Sequence, residues 1–207
     1  MASETDVLND ALGQIGAATI TAIDDGSTNA NACLIFYPTL RDGLLRSARW
    51  NFAETRMELA QDITPPITEY AYRYALPNDP WCLKVNDYAG ANPTTTATFW
   101  AFESRLRLAP RYKIEGRYLL SNDGKAYIVY TARITNPDQW DAIFYQLVTT
   151  WLASKLATAL LHDPKMAAAL LSNAVNLILP LAVAVDGQEG TIDPFIVNDL
   201  LWGRGHV

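Results

Sequence analysis

Residues 112–134 read YKIEGRYLLSNDGKAYIVYTARI. Tyr112–Glu115 runs into Gly116 and then Arg117–Leu120, and Ser121-Asn122-Asp123-Gly124 leads into Lys125–Ile134. An Asp-Gly pair between runs rich in aromatic and β-branched residues is a strong hairpin signal. The stretch therefore predicts consecutive antiparallel hairpins. Upstream, Tyr70, Tyr72 and Tyr74 alternate with smaller or charged residues, Leu76–Pro80 reads as a turn, and Trp81–Tyr88 suits a second strand before a loop over 90–96.

On both sides of this β region the period is helical. Val7, Leu8, Ala11, Leu12 and Ile15 form an apolar stripe, with Thr5 as a cap and Gly16 as a stop. Ser27 can cap a second helix in which Ala30, Leu34, Tyr37, Leu40 or Arg41, Leu44 and Ala48 recur every three to four residues. Pro38 should kink it, and it ends near Trp50. After Asn136-Pro137 a stripe of Ala142, Tyr145, Val148 or Thr149, Leu152, Leu156 and Ala159 returns, and Asp163-Pro164 restarts a helix at once, as in a tight helical hairpin. Met166–Val185 carries no charge over a length that could cross a bilayer. Ser172, Asn173, Asn176 and Pro180 interrupt it, which favours a helix buried in a bundle over a membrane anchor.

Segregated helices and strands predict an α+β fold: a helical bundle from the N- and C-terminal segments with an inserted antiparallel β lobe. The segments are 1–60 (N-terminal helices), 61–135 (β lobe), 136–187 (C-terminal helical hairpin) and 188–207 (an interaction tail). Leu12, Leu34, Leu44, Leu152 and Leu156 are expected to share the core, with Trp50 and Phe52 wedged where the lobe meets the helices.

At 207 residues, 50% hydrophobic and 18% charged, the chain can build one core and keep apolar surface for partners. A net charge of −6 argues against a whole-surface nucleic-acid binder. Cys33 and Cys82 give neither a disulfide framework nor zinc spacing, which points to a reducing compartment. The opening MASETDVLND lacks the basic and apolar regions of a secretory signal.

No catalytic, cofactor-binding or metal residue is assigned. His162 falls at a helix end and suits a capping role, and His206 is next to last. Asp24-Asp25 beside Gly26-Ser27 reads as a loop leading to a helix cap. Charge, however, is uneven. Residues 1–99 carry −6, residues 136–207 carry −4, and residues 100–135 carry +4 from Arg105, Arg107, Arg111, Lys113, Arg117, Lys125 and Arg133. That basic run reads either as a solvated face on hairpins or as a contact for an acidic neighbour. Phe99, Trp100, Phe102 and Tyr112 beside it would also suit single-stranded nucleic acid.

Several blocks in order resemble the tail tubular proteins of tailed phages, the head-to-tail adaptor family. These are Leu8-Asn9-Asp10-Ala11-Leu12-Gly13-Gln14-Ile15-Gly16, then Tyr37-Pro38-Thr39-Leu40-Arg41-Asp42-Gly43-Leu44-Leu45-Arg46 with Trp50-Asn51-Phe52-Ala53, and Tyr74-Ala75-Leu76-Pro77-Asn78-Asp79. Near the end come Ala184-Val185-Asp186-Gly187-Gln188-Glu189-Gly190 and then Trp202 and Arg204. The pattern departs at Pro38 and over 99–110. The resemblance implies a virion tail protein assembled in the host cytoplasm. It implies a homo-oligomeric ring of about twelve copies, docked between the portal protein and the distal tail (nozzle) protein, through which DNA passes without specific binding.

Two contact sets follow. Phe195, Leu201, Trp202 and Arg204 lie in a tail too apolar for a solvated segment, so it needs the portal, a neighbouring subunit or the chain's own core as its surface. Arg105, Arg107, Arg111 and Lys113 suit the tail partner or a subunit contact. Two other functions compete: a cell-wall-degrading tail enzyme using Asp24, Asp25 or Glu54 as its acid–base pair, and a nucleic-acid-binding module over 99–117.

Overall fold

The structure, a computed structural model, describes residues 2–64, 66, 69–90 and 112–189. It is α+β, with four helices and two small antiparallel sheets. The helices are α1 (Glu4–Gln14), α2 (Thr28–Ser47), α3 (Ala142–Leu161) and α4 (Pro164–Gln188).

Local sequence accounts for the helix ends. Ser3, not Thr5, caps α1: its hydroxyl accepts from the Asp6 N–H, while the Asp6 carboxylate accepts from the Ser3 N–H. Ser27 caps α2, Asp141 caps α3, and Asp163 caps α4 with Pro164 in the first helical position. Gly16, at φ 71°, ends the α1 region in a conformation that favours glycine. Asn136-Pro137 starts only a short 3₁₀ turn, Pro137–Gln139, before α3 begins. α2 runs unbroken through Pro38.

α3 is apolar nearly all round and packs against the other three helices. Leu147, Val148, Leu152, Ala153 and Leu156 are fully buried, together with Val7, Leu8, Ala11 and Leu12 of α1 and Leu44 and Leu45 of α2. One expected core residue is misplaced: Leu34 is 42% exposed, and Cys33 takes the inward position. In the first half of α2 the buried residues are Ala30, Ala32, Cys33 and Tyr37, and Leu34 and Ile35 are exposed there.

The lobe holds β1 (Glu54–Leu59), β2 (Tyr72–Ala75), β3 (Cys82–Gly90), β4 (Tyr112–Glu115), β5 (Tyr118–Ser121) and β6 (Ala126–Ala132). One sheet has the order β1-β6-β3 and the other β2-β5-β4, all pairs antiparallel. The β region thus begins at Glu54. The β4–β5 hairpin forms as the sequence indicates. Asn122–Lys125, in contrast, carries the chain from one sheet to the other instead of closing a β5–β6 hairpin. Asp123 is used differently: its carboxylate accepts from the Tyr88 hydroxyl at 2.6 Å, and its carbonyl accepts from the Tyr74 hydroxyl at 2.5 Å. A side chain at Gly90 would collide with that carboxylate, so β3 approaches the turn closely only as glycine. Leu59, Tyr74, Leu119, Ile128 and Tyr130 form the core between the sheets.

Register fixes the lobe's polarity. Glu54, Cys82 and Ala132 lie at the end next to the helices, whereas Leu59, Ala126 and Gly90 lie at the far tip. Helical core and lobe meet at Trp50, which is buried and donates its indole N–H to the Leu44 carbonyl at 2.9 Å.

The packing gives a contrast to measure. Leu152→Ala should lower unfolding free energy by about 2–5 kcal/mol, since it opens a cavity in the central helix. Leu34→Ala should change it by less than about 0.5 kcal/mol. Equal losses in denaturant titration would contradict the assigned phase of α2.

Candidate functional site

The most unusual surface of the molecule is α4. Pro180 has no N–H to donate, and a π turn, Ala174–Ile178, lies in the turn before it, so the helix widens there and continues to Gln188. Only Ala174, Ile178, Ala182 and Asp186 are buried, one residue per turn; the first three join the core around α3, and Asp186 meets Asn51. Met166, Ala167, Leu170 and Leu179 are half-buried against the same core, and the opposite side points outward: Leu177 is 68% exposed and Leu181 53%, with Leu171, Val175 and Val183 beside them.

The uncharged run Met166–Val185 is therefore not a buried bundle helix, as its composition suggested. Ser172, Asn173 and Asn176 are exposed too, and the Asn176 amide donates to the Ser172 hydroxyl at 3.1 Å. Lack of charge marks a helix that avoids water but does not say whether its own subunit covers it. By length and composition alone α4 could also cross a membrane.

The C-terminal end of α4 is tied to the lobe entrance. The Asp186 carboxylate accepts from the Asn51 N–H at 2.9 and 3.1 Å, and the Asn51 amide donates to the Asp186 carbonyl at 2.6 Å. Burial pushes the Asp186 carboxyl above the ordinary 3.8, the Asn51 N–H pulls it back, and nearby Glu189, Asp141 and Glu54 push it further up.

A second cluster joins helices to lobe through charge. Buried Arg41 pairs with Glu4 of α1 at 3.2 Å and with Asp42 at 3.0 Å, and Asp42 also holds Arg133 at 2.6 Å. The Arg133 guanidinium lies 5.3 Å from the centre of the Trp81 ring, and the Arg117 guanidinium stacks on it at 3.9 Å. Arg117 also donates to the carbonyls of Cys82 and Pro77. Lys113 pairs with Glu115 at 2.6 Å, and Lys125 lies 3.8 Å from Glu58. The described cations of the basic run are thus engaged within the subunit.

The other candidate residues are scattered. Asp25 accepts from the N–H groups of Ser27 and Thr21, and these bonds, the Ser27 ones foremost, hold its carboxyl below the ordinary range. Glu54 binds Arg49 at 2.7 Å. Cys33 and Cys82 are buried thiols, and burial raises Cys33 to about 11. His162 is the left-handed residue that ends α3. Among the described residues no cluster of His, Cys, Asp and Glu could hold a metal ion.

Arg105, Arg107 and Arg111 lie outside the described residues, as do Phe195, Leu201, Trp202 and Arg204. Their flanks are informative. Gly90, at the end of β3, and Tyr112, at the start of β4, belong to the lobe, and Glu189 follows α4. The sequence missed the outer face of α4 as a contact surface; its 20 uncharged residues were the signal available. The chain matches no protein-family model and no curated protein.

Asp186 gives a pH test. Because its folded value is raised, the group favours the folded state at low pH, and that contribution is lost as pH rises from about 4 through the folded value. Asp186→Asn keeps an acceptor for the Asn51 N–H without the charge. Its stability relative to the natural chain should therefore grow as pH rises from about 4 through the raised folded value and then level off. A difference that shrinks over that range would reverse the assignment.

Proposed function

We propose that this protein is a structural component of a phage virion: a head-to-tail adaptor that forms a homo-oligomeric ring between the portal protein and the distal tail protein. One observation supports it above the others. A soluble-type subunit of net charge −6 keeps the outer side of a 25-residue helix free of charge between residues 166 and 185. Depletion of charge with retention of Leu and Val is the composition of an interface core, not of a solvated helix.

The order of sequence blocks that resemble tail tubular proteins supplies the specific assignment, and the topology agrees with it. An adaptor must hold unlike partners at two places. Two segments of contrasting chemistry adjoin different elements in sequence: the basic aromatic 91–111 lies between β3 and β4 of the lobe, and the apolar 190–207 follows α4. An acidic subunit also suits a channel that DNA must pass without adhering. In this reading Phe195, Leu201, Trp202 and Arg204 contact the portal or a neighbouring subunit. Arg105, Arg107, Arg111 and Lys113 face the tail partner or a neighbouring subunit. Assembly takes place in the host cytoplasm.

Light scattering on the protein alone, the portal of the same virus alone, and their mixture tests the assignment. The expected result is a single complex in which the protein binds the portal as a ring with about one copy per portal subunit. Failure to co-elute with the portal at any ratio would remove the adaptor reading.

A further inference from the structure

We propose that successive copies of this chain pack head to tail, the outer face of α4 of one copy lying on the Leu34–Ile35 patch of α2 in the next. The proposal rests on the ring reading above and names its subunit contact. Four observations carry it.

First, α2 has an uncharged stretch of its own, Thr28–Leu40, and outside its buried stripe Ile35 is 68% exposed beside Leu34. The chain thus shows two charge-free apolar helical surfaces. Second, they belong to different flanks of the bundle: α2 and α4 each pack on α3, and their apolar outer residues face away from it. A contact between two unlike patches of one chain is heterologous, the kind that builds a ring when the rotation between copies closes and an open filament when it does not.

Third, electrostatics select these surfaces. Copies of a −6 chain repel one another, and a carboxylate trapped unpaired at their contact would add a desolvation cost. The Thr28–Leu40 and Met166–Val185 surfaces bring no such group. Fourth, the middle of the α4 face carries the exposed Ser172–Asn176 pair and Asn173. Hydrocarbon cannot satisfy those groups, whereas a protein surface with polar side chains can. Across from them α2 offers Asn31 and Thr39, both exposed. A second protein copy therefore fits this face better than a lipid bilayer does.

Site-directed disulfide formation in the full chain tests the contact. Ile35→Cys and Leu177→Cys replace exposed residues, while native Cys33 and Cys82 are buried. Oxidation is run on the free protein where light scattering shows multimers, and otherwise on the portal-bound ring. The double variant should give a ladder of dimers, trimers and higher species on non-reducing gels. Each single variant should give none, and a mixture of the two single variants should stop at the dimer.

Dimers of Leu177→Cys alone would mean that two α4 faces meet, which overturns the proposal, as would the absence of a ladder from a ring that light scattering detects. Flotation of the natural protein with phosphatidylcholine–phosphatidylglycerol vesicles, abolished by Leu177→Lys, would assign the face to lipid and overturn it too. A ladder without portal binding would retain the contact and remove the adaptor. Portal binding without a ladder would do the reverse, and a monomer in both settings would remove both.

Discussion

The insertion of a β lobe into a helical bundle depends on one ring, Phe144. The chain enters the lobe through Trp50 and Phe52 and returns through Trp140, and all three rings meet the buried Phe144 with centroids 4.9, 5.0 and 5.4 Å away. Trp50 and Trp140 approach it edge to face, the arrangement that the aromatic quadrupole favours. Their indole N–H groups are satisfied by the carbonyls of Leu44 and Ile134, so neither indole is left unpaired at the crossing. Each crossing strand is therefore anchored where it leaves the helices. The ion-pair chain from Glu4 through Arg41 and Asp42 to Arg133 adds a directional tie on the same side of the joint. An inserted lobe held at one crossing only could swing; held at both, it keeps one orientation to α3.

The same anchoring explains why α4 can afford an open face. α3 takes its cover from α1, α2 and one side of α4, so the bundle core is complete without the outer side of α4. Asp186 then fixes the end of α4 to Asn51, at the lobe entrance. A helix positioned along its inner stripe and at its end is preorganised, and preorganisation lowers the entropy cost of a later association.

Features governed by short-range chemistry were legible in the sequence. The α1 stripe, the Ser27 and Asp163 caps, the β4–β5 hairpin and the alternation of helices with an inserted lobe all follow from periodicity and turn residues. Strand β1 was not legible, because Glu54 and Glu58 are poor strand formers and its pairing with β6 is set by a partner roughly 70 residues away. Asp123-Gly124 carries a hairpin signature, yet the hydroxyls of Tyr88 and Ser121 lie on its carboxylate and the two strands it joins enter different sheets. Leu34 and Cys33 differ by one position in helical phase, and Leu is the more apolar. Of the candidate interface, the uncharged run was visible as composition. Which of its sides the subunit covers depends on the phase of the π turn at 174–178, and periodicity cannot supply that.

Charge bookkeeping leads to assembly from a different direction. Arg41, Arg49, Arg73 and Arg133 are held by Glu4, Asp42, Glu54, Asp87 and Asp62 within the subunit, so these cations are not free to attract another copy. The chain as a whole carries −6, so two copies repel appreciably once their surfaces come within about 8 Å at physiological ionic strength, since salt screens the charges beyond that distance. Attraction at contact must then come from apolar burial over ground that carries no charge. Contiguous apolar patches beyond a few hundred Å² are uncommon on monomers. In the proposed contact that apolar area comes from Leu171, Leu177 and Leu181 of α4 and from Leu34 and Ile35 of α2, all exposed in the single subunit.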